Sequence, residues 1–125
     1  MIRILRLILI LCSGLVVGLT LTHVLQSPGS AGLSARAWLD VQHTFYGGFA
    51  IVGGVCEIVA LLSAVALAIL HLIRREHRAA IMPAVVAVCF VGALVAFAVG
   101  NEPVNAQVAS WTPTTIPPDW RVAVA

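Results

Sequence analysis

Lysine is absent from this sequence and acids are scarce: seven arginines stand against five Asp and Glu, and charged residues make up 10% of 125 positions. A water-soluble domain carries about 25% charged and roughly 45–50% apolar residues. Here 61% are apolar and the mean hydropathy is +1.06, so there is too little polar surface to coat a soluble globule. The arginines mostly flank apolar stretches instead of forming a patch of their own, which argues against a nucleic-acid partner. A Cys-x-x-Cys pair is also missing. Cys12, Cys56 and Cys89 stand far apart, each inside an apolar run, which leaves no zinc or thiol-exchange motif and argues against a quinone-linked thiol oxidoreductase. They fit as small apolar packing side chains.

What the chain has in abundance is long hydrophobic runs. Residues 7–25 carry no formal charge and follow Arg3 and Arg6. A basic start before an apolar run also marks a secretory signal, but a signal core runs only about 7–15 residues, so this segment reads as a first transmembrane helix. Residues 45–73 hold one acid, Glu57, and as a helix would reach about 43 Å, more than the roughly 30 Å hydrocarbon layer. Residues 81–100 are uncharged, with Pro83 near the start, where a missing amide hydrogen costs little. The expected fold is an all-α transmembrane helical bundle, one membrane domain over residues 1–125, with an irregular tail from 101 to 125. No internal repeat is present, and three spans cannot make two equal inverted halves, so a transporter is disfavoured.

Charge sets the expected orientation in a cell membrane. Arg3 and Arg6 precede the first span and Arg74, Arg75, His77 and Arg78 lie between the second and third, which puts the N-terminus and the 74–80 loop in the cytoplasm. Residues 26–44 and 101–125 then face outward with Trp38, Trp111 and Trp120, as an aromatic belt would. His71 and His77 are expected among the cytoplasmic headgroups, beside arginines that anchor anionic lipid. Gly14 and Gly18 in the first span, and Gly92, Ala96 and Gly100 in the third, are spaced by four, a pattern that predicts close helix packing.

The polar residues within this apolar frame are the candidates for chemistry. Glu57 falls near mid-span, where an acid costs about 2.5–3.5 kcal/mol unless paired, protonated or wetted; Ser13 is its expected partner by depth, and a protonated, neutral carboxyl its expected form. At the outer rim His23 ends the first span, Gln42, His43 and Tyr46 begin the second, and Asn101 and Asn105 follow the third. His43, Gly47, Ala50, Gly54 and Glu57 recur at steps of three or four, a small-residue stripe that would floor a narrow pocket. Histidine accepts a proton near neutral pH and asparagine can hold a developing oxyanion, so an acid–base site is expected at the rim. Two histidines without a carboxylate at matching depth make too thin a set for a metal, and none is expected.

The tail has order of its own: Asn101-Glu102-Pro103-Val104-Asn105, then Trp111-Thr112-Pro113, then Pro117-Pro118-Asp119-Trp120-Arg121. Four prolines predict that no long helix forms there. These motifs, with Trp38 to Phe49 at the entrance of the second span, resemble the anthrone oxygenase-like family of integral membrane proteins. The resemblance implies a four-helix bundle of which three spans lie in this chain, and a cofactor-free monooxygenase acting on a flat, lipid-soluble aromatic substrate. Such chemistry needs a base, and membrane depth and side-chain chemistry, not a family motif, make His43 and His23 the candidate bases here, with Tyr46, Asn101, Asn105 and Trp111 lining the substrate pocket. Relatives continue past the Asp-Trp-Arg segment into a fourth span, and this sequence stops at Ala125. Either the chain is a truncated product or another subunit supplies the wall. The alternative expectation is a non-catalytic accessory subunit, partnered by other membrane proteins or by copies of itself.

Overall fold

The computed structural model describes residues 1–124 and is built of helices throughout. Helix α1 runs Ile2–Ser30, α2 Ala35–Ile73 and α3 His77–Ala96; a wide π turn, Phe97–Asn101, leads without a break into α4, Glu102–Ala109, and a short α5, Trp120–Ala123, closes the tail. Three of these elements, α1, α2 and the continuous His77–Ala109 rod, are long and apolar enough to cross a membrane. At 1.5 Å per residue even the shortest spans about 43 Å, so each outruns a hydrocarbon layer of roughly 30 Å.

The helices extend beyond the apolar runs because local chemistry, not hydropathy, ends them. Helix α2 begins at Ala35, well before its apolar stretch, because Ser34 caps it: the Ser34 hydroxyl oxygen accepts the Ala37 amide at 3.3 Å. Helix α1 carries Pro28 within its last turn, so little helix remains to be disrupted beyond it. The larger correction is at the tail. Residues 102–109 are helical despite Pro103, which sits in the first turn of α4, where its absent amide hydrogen is tolerated. The preceding π turn, in which the Glu102 amide reaches back to the Phe97 carbonyl, absorbs the register change.

Helix α2 is central. Helices α1 and α3 each pack along it and scarcely touch one another, so a furrow runs between them with α2 as its floor. The buried face of α2 is Cys56, Ala60, Ser63, Ala64, Leu67 and His71, a seam that repeats at three and four residues. The expected glycine seams do not form within the chain. A Cβ at Gly14, Gly18, Gly92 or Gly100 would meet nothing within 4 Å, and among the span glycines only Gly53 lies against a neighbouring helix, at 3.5 Å from Leu19 of α1. Gly14 and Gly18 of α1 and Gly92 and Gly100 of α3 are left open instead.

Each end of the bundle is tied by a separate device. At the arginine end His71 is 3% exposed, not among headgroups as its neighbours in sequence imply. Its Nδ1 lies 2.5 Å from the Glu76 carboxylate, and its Nε2 lies 3.2 Å from the Arg6 guanidinium. A guanidinium can only donate, so Nε2 accepts and Nδ1–H donates to Glu76. The turn that brings Glu76 back has Arg75 at φ 59° and a bond from the Glu76 amide to the His71 carbonyl at 2.9 Å, the wrap that closes many helix C-termini.

At the other end the tail folds back over the start of α2. Trp38, Leu39, Val108, Trp111 and Trp120 form a buried cluster, with Trp38 centred 4.8 Å from Trp120 and 6.4 Å from Trp111. The three tryptophans therefore pack on one another, where a belt would have turned them outward to lipid headgroups. Their gain is mutual burial of large ring surfaces in tilted contacts. Arg121 locks the fold-back, its guanidinium 5.1 Å from the Trp120 ring centre and donating to the Leu33 carbonyl at 3.1 Å.

Candidate functional site

The furrow widens at the tryptophan end into a cleft of about 880 Å³ that is open on one side. Helix α1 contributes Leu19, Thr20 and His23; α2 contributes Gln42, His43, Tyr46 and the inner stripe down to Glu57; the π turn and α4 contribute Phe97, Asn101, Asn105 and Val108. His43, Gly47, Ala50, Gly54 and Glu57 all line it, in keeping with their shared helical face. Glycine and alanine there leave the space vacant: at Gly47 and Gly54 an added Cβ would find nothing within 4 Å.

The wall opposite the stripe exists because the third rod stays helical past residue 100. Asn101 and Asn105 are one turn apart at the junction of the π turn and α4, so both reach the same cleft. A tail that left the helix at residue 101 would scatter them. The hydroxyl oxygen of Tyr46 accepts a short hydrogen bond from the Asn105 amide. With its oxygen engaged as an acceptor, the Tyr46 O–H proton is left to donate to another group in the cleft.

His43 is fixed in a similar way. Its Nε2 lies 3.2 Å from the Val108 carbonyl oxygen, an atom that only accepts, so Nε2 carries the hydrogen and Nδ1 the lone pair. With Nε2 committed as the donor, Nδ1 is the nitrogen left to act as a general base. His23, across the cleft on α1, stands with its ring centre 5.1 Å from that of Phe49, and is positioned by packing instead of by a hydrogen bond.

Two of the sequence expectations are placed elsewhere. Trp111 is not among the lining residues; it is buried in the tryptophan cluster, and Trp38 is the ring that reaches from that cluster into the cleft. Ser13 does not line the cleft, and Glu57 forms no ion pair with any described residue. Cys56, one position before Glu57, is buried in the α2 seam. Among the described residues no three His, Cys, Asp or Glu side chains gather around one point.

Among the lining residues that sequence reasoning missed are Thr20, Trp38, Phe49, Phe97 and Val108. Only Phe49, less than two turns inward of His43 on the same helix, carried a usable signal; the carbonyl of Val108 carried none. No known protein family, curated protein or solved structure gives a significant match to this chain.

Proposed function

We propose that the chain is a cofactor-free oxygenase of the anthrone-oxidising kind, acting on a flat, lipid-soluble aromatic compound that enters the cleft sideways from the bilayer. The observation that carries this reading is the pair of fixed polar groups at one rim, His43 with its Nδ1 lone pair and Tyr46 with its free O–H, set above a floor of small residues. In this reading the arginine end faces the cytoplasm of a cell membrane and the cleft opens toward the outer leaflet.

The chemistry converts a ring CH₂ to C=O, with one O₂ consumed and one water released. His43 Nδ1 removes a proton from the ring methylene that is conjugated with the substrate carbonyl. Tyr46 donates to the carbonyl oxygen as negative charge develops there, a role Asn101 and Asn105 support from the side. The resulting carbanion passes an electron to O₂ and forms a C–O bond. Protonation gives a hydroperoxide, whose loss of water leaves the new carbonyl. His23 is the second group in reach of the ring and returns a proton to the departing oxygen.

Oxygen uptake by purified protein supplied with anthrone tests the proposal directly. Tyr46→Phe keeps the ring and removes the donor, and we expect the turnover number to fall by about 10²-fold, the usual loss for one oxyanion donor. An unchanged rate would remove Tyr46 from the reaction.

A second reading, an accessory subunit, has one observation in its favour: the Gly14 and Gly18 face of α1 has open space beside it, as a helix awaiting another membrane helix would. Mild-detergent isolation separates the two. A stable hetero-complex that shows no anthrone-dependent oxygen uptake supports the subunit; an active protein without partners supports the enzyme.

A further inference from the structure

The lower half of the cleft has a chemistry that the oxygenase reading does not use. Glu57 is the only acid lining it among the described residues, and no arginine does. Arg6 is held by His71 at the far end of the bundle, Arg121 is held on Trp120, and Arg36 is exposed at the start of α2. The titratable groups that share the cleft with Glu57 are His23 from α1, and His43 and Tyr46 on its own helix, each at the rim, with Thr20, Gln42, Asn101 and Asn105 as uncharged polar neighbours; α3 adds only Ala93, Leu94 and Ala96. No described residue pairs with the carboxylate. Phe49 and Phe97 line the same cleft, and the rings of Tyr46 and Trp38 stand at its rim. A single carboxylate without a counter-charge, at a depth set by hydrocarbon, in a cleft walled by aromatic and aliphatic side chains, is complementary to one class of ligand.

We infer that the cleft is a binding site for a lipid-soluble organic cation, with Glu57 as its counter-ion and the aromatic rings as its walls. The cation takes the place of the proton that an unpaired carboxyl needs at such depth, and its own hydrocarbon shell keeps its desolvation cost low. The apolar walls exclude small hydrated cations, which would lose their water without replacement, whereas a cation whose charge is shielded by hydrocarbon loses little. Lateral opening of the furrow gives such an ion a route from the bilayer. This binding is independent of the oxidation chemistry and shares with it only the cleft.

Equilibrium binding of tetraphenylphosphonium to the full chain in nanodiscs tests it, with tetraphenylsilane as the uncharged counterpart of the same shape. We expect saturable binding of the cation, weakened by about tenfold or more in Glu57→Gln, and weaker binding of the silane that Glu57→Gln leaves unaltered. Gly54→Leu, which fills the floor of the cleft where a Cβ now meets nothing, should abolish binding of both. His43→Ala should retain cation binding, so a failed oxygen-uptake assay and a failed binding assay are told apart. Absence of cation binding, equal affinity for cation and silane, or undiminished cation binding by Glu57→Gln each overturns the inference.

Discussion

His43→Ala is expected to reduce anthrone-dependent oxygen uptake by about 10²- to 10⁴-fold, the range over which a positioned general base contributes, while leaving the bundle folded. Two features make this the most demanding test of the proposed chemistry. The imidazole hydrogen bond to Val108 commits Nε2, so no tautomeric change supplies a second base at the same place. And His43 is exposed to the cleft, so its removal leaves no buried void. A loss of activity with unchanged thermal unfolding assigns the residue to the reaction. His43→Gln separates the roles further: it restores a donor toward the Val108 carbonyl but no base, and should be as inactive as the alanine variant. Activity within a few-fold of wild type in both variants would end the assignment.

Trp38→Ala is expected to be the most destabilising single substitution in the chain, by about 3–5 kcal/mol. Trp38 is the one ring in contact with both tail tryptophans, so its loss frees Trp111 and Trp120 together. The tail then loses the surface against which it folds, and Arg121 its hold on the Leu33 carbonyl. Limited trypsin digestion reads this as faster cleavage after Arg121, alongside a lower unfolding temperature in detergent. Because Trp38 and Val108 belong to both the cluster and the cleft, oxidation should fall as well. Trp111→Ala, confined to the cluster, should destabilise the tail with a smaller effect on the site. Protection of Arg121 equal to that in the wild type would show that the tail is held by something other than this cluster.

The contrast between these two residues explains what could be seen in advance. The stripe from His43 to Glu57 lies on one helix, and helical periodicity alone aligns it; the three apolar runs likewise each fall within one of the three long helices. The ends of those helices depend on single local events, the Ser34 cap and the π turn before Pro103, which hydropathy does not register. The ties between elements are harder still. Arg6 and His71 are 65 residues apart, as are His43 and Val108, and Arg121 and Leu33 are 88 apart. No local pattern announces such pairs. His71 is instructive: exposed arginines begin three residues beyond it, yet it continues the Ala60, Ala64, Leu67 register of the buried seam, and that register, not the nearby charge, decided its place.

Everything rests on hydrocarbon being the solvent for the outward faces of α1 and α3. Nitroxide labels at Val17 and Val88, which are 66% and 72% exposed, and at Val122 of the tail, 78% exposed, measure this in lipid vesicles. The first two labels should collide freely with O₂ and little with a water-soluble nickel chelate, and Val122 should show the reverse preference. Ready access of the chelate to Val17 and Val88 would contradict a membrane-spanning bundle.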